Sequence, residues 1–143
     1  MTINTPRVLL ICESPIGMSF LAARLKKGGC EVYFVSSCKE AYALVDNQGF
    51  DLVLSEFRFP DGSTYPLASL LVGSRTTVVY SYQIETGCWW LPALKNGQSC
   101  WGSMAMQPSE FFGFLDEILT GIRSHQPMNS DEFRQPLVKA AAK

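Results

Sequence analysis

The sequence predicts an α/β fold built on a parallel sheet, and three observations lead to this prediction. Short apolar segments of strand length alternate with segments of helical periodicity along most of the 143 residues. Such alternation gives parallel strands, because each crossover helix returns the chain in the same direction. The first strand segment is continuously apolar, as expected for a strand buried on both faces. Because 47% of the residues are hydrophobic, the chain can bury one full core, and we expect one domain.

A distinct sequence pattern predicts each of the first two strands and the helix between them. Residues 7–12 form the continuous apolar run, which we predict to be the first and central strand. Apolar residues recur near helical spacing over 17–27, and lysines stand at the end, where the helix dipole favours cations. Gly28 and Gly29 end this predicted helix. Glu31–Val35 is then predicted as the second strand.

The middle of the chain continues the alternation. Ser37 and Glu40 are spaced like a capping box, which predicts a second helix through Asp46. Residues 50–55 form a third apolar strand, followed by a turn at 60–62 and a short helix over 65–72.

The last third of the domain completes the predicted sheet. Residues 76–81, rich in β-branched and aromatic side chains, predict a fourth strand. Residues 84–96 contain Pro92, which predicts a short, broken or late-starting helix. A fifth strand is placed within residues 99–106, and residues 109–122 form an amphipathic last helix. The expected architecture is a three-layer, flavodoxin-like fold with a five-stranded parallel sheet in the order 2-1-3-4-5.

The predicted domain spans residues 1–122, and residues 123–143 are predicted to be a polar C-terminal tail or tether. This segment is polar, and it carries Pro127 and Pro136 before an Ala/Lys-rich end. Segments of this composition at a chain terminus rarely pack into a core.

Composition also excludes several classes of partner. The net charge of −1 and the pI of about 5.8 leave no basic field for phosphates, so we expect no nucleic-acid binding by this chain alone. No apolar run approaches the roughly 20 residues that cross a bilayer, and residues 1–6 lack the features of a signal peptide. We therefore expect a cytoplasmic protein without membrane contact.

The cysteines predict neither disulfides nor a metal site. The five cysteines are an odd number without a C-x-x-C pair, and His125 is the single imidazole available as a ligand. We expect most of these thiols to be buried as small hydrophobic groups. No cofactor or metal site is predicted.

The order of segments resembles a response-regulator receiver domain over residues 7–122. Such domains carry an acidic pair after strand one, a phosphate-accepting Asp after strand three with Pro four residues on, a hydroxyl ending strand four, and Lys-Pro after strand five. The corresponding positions here are Cys12 and Glu13 for the acidic pair, Glu56 for the acceptor with Pro60 following, Ser81 for the hydroxyl, and Gln107-Pro108 for Lys-Pro.

The resemblance implies a signalling module, but the replaced residues change the expected chemistry. The family transfers a phosphoryl group to the Asp with help from a divalent cation and the Lys. Glu56 is one methylene longer than Asp, which displaces the attacking oxygen. Cys12 removes a hard oxygen ligand, and Gln107 supplies no cation. We therefore predict no aspartyl-type phosphorylation, weak Mg²⁺ binding at best, no intrinsic catalysis, and signalling by protein contact. The alternative for Glu56 is an exposed loop carboxylate paired with Arg58.

An enzyme hypothesis rests on Cys12. A Cys that ends the first strand and precedes a helix resembles low-molecular-weight protein tyrosine phosphatases and phosphocysteine domains of sugar phosphotransferase systems. That resemblance implies a phosphoryl-transfer enzyme or phosphocarrier, for which Glu56 is the other candidate residue. However, the phosphatase motif has Arg where this chain has Met18, Glu13 would repel an anion, and Pro15 lacks an N–H donor.

Aromatic residues cluster in the predicted fourth and fifth units, through which receiver domains commonly contact partners. The candidate interface residues are Tyr82, Trp89, Trp90 and Trp101. If exposed, they would anchor a protein partner or a homodimer. The alternative is that they pack in the core.

Overall fold

A computed structural model describes residues 5–84, 87–100 and 105–124. In chain order the elements are β1 (Arg7–Ile11), α1 (Pro15–Lys27), β2 (Glu31–Val35), α2 (Cys38–Asn47), β3 (Leu52–Glu56), β4 (Arg58–Phe59), β5 (Gly62–Ser63), α3 (Leu67–Leu70), β6 (Thr77–Ile84), β7 (Gly87–Lys95), β8 (Gln98–Ser99) and α4 (Pro108–Ser124). They form a mostly parallel sheet with helices, which confirms the predicted flavodoxin-like α/β class.

The parallel part of the sheet has the predicted order. The main sheet runs β2-β1-β3-β6-β7-β8, and the first four of these strands are mutually parallel. Strand β1 is central, with Leu10 beside Phe34 of β2 and beside Leu54 of β3. The carboxyl ends of β1, β3 and β6 therefore meet at one edge of the sheet.

Two hydrophobic clusters cover the two faces of the sheet. Val8 and Leu10 belong to the cluster with residues of α1 and α4, whereas Leu9 and Ile11 belong to the cluster with residues of α2 and α3. Alternation along a strand sends successive side chains to opposite faces. All residues of 8–11 and 52–54 are fully buried, which confirms the prediction that β1 and β3 are covered on both sides.

The start of α2 carries the predicted Ser37–Glu40 cap, in which the Glu40 side chain bonds one residue before the N-cap, and it carries a second cap. The Glu40 N–H donates to Ser37 Oγ at 3.2 Å, and the Glu40 carboxylate accepts from the Ser36 N–H at 3.2 Å. Asp61 lies in the predicted turn at 60–62, which joins the short unpredicted strands β4 and β5, and it accepts from the N–H groups of Cys38 and Lys39 at 3.0 Å each. These backbone donors lower the pKa of Asp61. The hairpin is thereby fastened to the helix.

The predicted helix within residues 84–96 is wrong, because this segment forms β7, antiparallel to β6. Only residues 85 and 86 separate the two strands, so pairing between them is local. Pro92 lies where the register shifts at a β-bulge, a position in which its missing N–H is tolerated.

The predicted parallel fifth strand is also corrected. The place beside β6 is taken by antiparallel β7, and β8 is a two-residue antiparallel strand. The turn between β7 and β8 is Asn96-Gly97, with φ of 52° and 80°, a pair of left-handed residues that suits a tight hairpin. A Cβ on Gly97 would lie 1.6 Å from the Ser74 carbonyl oxygen, so only glycine fits there. Residues 101–104 of the predicted strand lie outside the described residues.

The predicted last helix is confirmed as α4. Its residues Phe111, Leu115, Ile118 and Leu119 are buried against the sheet. The helix runs to Ser124, two residues past the predicted domain boundary at 122. Residues 125–143 lie outside the described residues, so the tail stays a prediction. None of the described helices is long and apolar enough to cross a membrane.

Candidate functional site at the carboxyl edge of the sheet

The fold brings most of the predicted receiver-site positions to one edge of the sheet. Glu56 ends β3, and Cys12 and Glu13 directly follow β1. Ser81 of β6 is the register partner of Glu56 and is buried. Cys12 is fully buried, whereas Glu13 is exposed. The strand order alone produces this grouping, because the ends of parallel strands converge.

The Glu56 carboxylate is bound to the segment that follows β1. Its Oε1 atom accepts a hydrogen bond from the Glu13 N–H at 3.0 Å, and its Oε2 atom accepts from the Cys12 thiol at 3.4 Å. Both oxygens therefore connect the end of β3 to the end of β1. Among the described residues, no ion pair includes Glu56, so the expected alternative pairing with Arg58 is wrong.

Cys12 is held as a neutral thiol. Burial raises its pKa to about 11, and the negative charges of Glu56 and Glu13 act in the same direction. The single thiol hydrogen is shared between Glu56 Oε2 and the Ser14 carbonyl oxygen, and the Ser14 contact is the shorter at 2.9 Å. Cysteine nucleophiles are activated by a lowered pKa, because the thiolate is the reactive form. This geometry therefore speaks against a nucleophilic role for Cys12.

The donor set does not suit the divalent cation that receiver chemistry uses. In the part of the chain that the structure describes, no group of three Cys, His, Asp or Glu side chains is arranged to hold a metal ion. Mg²⁺ requires oxygen ligands, whereas one of the three side chains here is the protonated thiol of Cys12. Glu56 and Glu13 are the two remaining carboxylates, and Glu13 is exposed.

Gln107 has a local structural partner. It is exposed and directly precedes α4, and its backbone N–H donates to the Glu110 carboxylate at 3.0 Å. An acidic side chain in the first turn compensates the free N–H groups of a helix start. The Gln107 side chain is neutral, so it cannot supply the cation of a phosphorylation site.

Of the four interface candidates, the structure describes three, and one of these is buried while two are half-buried. Trp90 is 8% exposed and stacks on Phe111 with ring centroids 3.9 Å apart, so it belongs to the core. Trp101 lies outside the described residues. Tyr82 and Trp89 are half-buried and stand opposite each other in the β6–β7 register. Because side chains alternate, these two share the face opposite to Trp90.

Two further aromatic residues, which sequence reasoning missed, extend this pair. Phe57 lies 6.4 Å from Tyr82 and 5.9 Å from Tyr65 between ring centroids. Tyr65 is 57% exposed. Tyr65, Phe57, Tyr82 and Trp89 therefore form one row, which we call the aromatic strip. The available sequence signal was an aromatic residue directly after Glu56, at the functional edge of the sheet.

Comparisons with known proteins agree with this architecture. No protein-family model and no curated protein sequence matches the chain. The structure is similar to a two-component response regulator from Clostridium difficile, with 17% identity, a TM-score of 0.58, and coverage of 88% of this chain and 100% of that chain. It is also similar to the non-phosphorylated HemR receiver domain from Leptospira biflexa, with 20% identity, a TM-score of 0.55, and coverage of 81% and 95%.

By their descriptions one neighbour is a two-component response regulator and the other is a receiver domain, and both align over more than four-fifths of this chain. The chain thus has the fold of a response-regulator receiver domain. The resemblance inferred from the order of segments is confirmed at this level.

Proposed function

We propose that this chain is a receiver-like signalling module that acts by protein contact and does not use phosphorylation at the carboxyl edge. The observation that carries this proposal is the position of Glu56. The residue stands where a receiver has its phosphate acceptor, yet both of its oxygens accept hydrogen bonds from the segment after β1. A carboxylate held in this way fastens two strand ends together.

The residues around Glu56 also support the proposal that the carboxyl edge of the sheet is not phosphorylated. Phosphoryl transfer needs an aligned attacking oxygen and positive charge on the transferred group. Glu56 is longer than Asp, the Cys12 thiol is protonated at neutral pH, and Gln107 is neutral. With the Glu56 carboxylate hydrogen-bonded to the segment after β1 and Gln107 in place of the Lys, we infer one stable arrangement at this edge instead of two states controlled by phosphate.

The aromatic strip is the proposed contact surface. It lies on the face of the sheet opposite to Trp90, next to the Glu56 edge, and combines an exposed Tyr65 with half-buried Phe57, Tyr82 and Trp89. Large aromatic side chains at the centre of an interface carry much of its binding energy. In this chain the fourth unit ends in a hairpin where we expected a helix, and Tyr82 and Trp89 stand in that hairpin.

The proposed occupant of the strip is a protein partner or a second copy of the chain, in the cytoplasm. A rigid row of rings suits a protein surface, because such rings lose little conformational entropy on binding. The net charge of −1 does not favour nucleic acid as the occupant.

Replacing Trp89 with alanine tests this surface. We expect the dissociation constant of the complex to rise by more than about fivefold, which corresponds to roughly 1 kcal/mol, with almost no change in melting temperature. Sedimentation equilibrium measures self-association, and calorimetry with the identified partner measures hetero-association.

The matched control is Phe34→Ala, which removes an aromatic side chain that is 39% exposed on β2, at the opposite edge of the sheet. Its association should equal that of the wild type. Equal affinity of the Trp89→Ala variant and the wild type would show that the strip is not the interface.

A further inference from the structure

A small cavity opens between α1, α4 and the β6–β7 hairpin, on the face of the sheet opposite to the aromatic strip. Its volume is about 190 Å³, below the roughly 300 Å³ at which drug-sized pockets begin. It can therefore hold only a small molecule. Its apolar walls come from Met18, Leu21, Trp90 and Phe111, which all belong to one hydrophobic cluster. The rings of Trp90 and Phe111 are stacked on each other.

The cavity has few polar lining residues, and one of them is charged. The polar residues that line it are Glu56, Ser81, Gln83 and Cys88. Burial raises the pKa of Cys88, and the negative charge of Glu56 raises it further. The thiol is therefore neutral, and Glu56 supplies the negative charge of this site.

That charge lacks a cationic partner among the described residues. Their ion pairs join Arg7 to Glu31, Arg24 to Asp116 and Lys95 to Glu117. The donors to Glu56 are neutral, and the thiol is a weak one. A carboxylate accepts about four hydrogen bonds, so Glu56 keeps acceptor capacity toward the cavity. Arg24 lies 4.5 Å from the Phe112 ring centroid but does not line the cavity.

We propose that this cavity binds a small organic ammonium ion whose apolar body lies among the aromatic walls and whose charged nitrogen pairs with Glu56. Charge-assisted hydrogen bonds strengthen when water is excluded, and aromatic faces attract cations. Ser81 and Gln83 carry the other oxygen acceptors among the lining residues. The inference does not depend on the proposed contact surface, because the two lie on opposite faces of the sheet.

Three probes that share a phenyl ring and a short chain test the charge requirement: 2-phenylethylammonium, 2-phenylethanol and 3-phenylpropanoate. In ¹H–¹⁵N spectra of the full chain, the cation should shift the Ser81, Gln83 and Cys88 amides and the Trp90 indole saturably. We expect it to bind at least about tenfold more tightly than the alcohol, the ratio that roughly 1.4 kcal/mol gives. The anion should not bind.

Variants of the chain test whether Glu56 supplies the negative charge that pairs with the cation. Glu56→Gln keeps an acceptor for the Glu13 N–H and should reduce cation affinity about tenfold, to the level of the alcohol. The matched control Glu117→Gln removes a distant carboxylate and should leave all affinities unchanged. Cys88→Leu fills the cavity, retains Glu56 and should abolish binding of both cation and alcohol, which keeps the test decisive if Glu56→Gln unfolds.

Three results would overturn the proposal. The first is the absence of saturable shifts with the cation at millimolar concentration, and the second is equal affinity for cation and alcohol. The third is binding that persists in Cys88→Leu, because this would place the probe elsewhere on the chain.

Discussion

Trp90→Ala should lower the free energy of unfolding by about 3–5 kcal/mol, the usual cost of removing a large buried aromatic side chain. Trp90 is 8% exposed, stacks on Phe111 and exchanges backbone hydrogen bonds with Met106. The alanine side chain would leave Phe111 without its stacking partner and open a void beside the core. Urea denaturation measures the loss.

The neighbouring Trp89→Ala provides the matched control, because Trp89 is half-buried on the other face. Its melting temperature should be almost unchanged. Equal losses at the two positions would contradict the assignment of Trp90 to the core and of Trp89 to the surface.

Leu10→Ala should cost about 2–5 kcal/mol of stability, because the strand that carries Leu10 is central and covered on both faces. Leu10 is fully buried and packs in the cluster that joins β1 to α1 and α4. Its register partner in the edge strand β2 is Phe34, which is 39% exposed. Phe34→Ala is therefore the control and should cost less than about 1 kcal/mol. A similar cost at both positions would contradict the central place of β1.

The sequence predicted the first half of the fold well, because local and long-range signals agree there. The apolar run of β1, the Gly28-Gly29 stop and the Ser37–Glu40 capping box each indicate the element that forms. Strand β3 was predicted because a continuously apolar segment is typical of a strand buried between helices.

The hairpins escaped prediction because the receiver pattern led us to expect another crossover helix after β6. The segment 87–95 is almost continuously apolar and contains Pro92. Its apolar residues follow neither a helical nor an alternating period, so periodicity does not decide between helix and strand. The decisive signal was Asn96-Gly97, a strong marker of a tight hairpin. Read together with the aromatic residues before it, this pair favours strands.

The site was predicted in position but not in geometry. Alignment of segments placed Cys12, Glu13, Glu56 and Ser81 at one edge, and the fold brings them there. The return of the Glu56 carboxylate to the Glu13 N–H is a tertiary contact across 43 residues, for which no local pattern exists. The role of Trp90 also depended on packing against Phe111, which composition does not reveal.

The most direct test of the phosphorylation-independent account is an intact-mass spectrum of the chain after incubation with acetyl phosphate and Mg²⁺. A receiver domain that is known to become phosphorylated by acetyl phosphate is treated in parallel, which shows that the phosphodonor is active. The account predicts no gain in mass for this chain, because Glu56 is longer than Asp and is held against the segment after β1, and because the neutral Gln107 stands where a receiver has Lys. A gain of one phosphoryl group that disappears in the Glu56→Gln variant would contradict it.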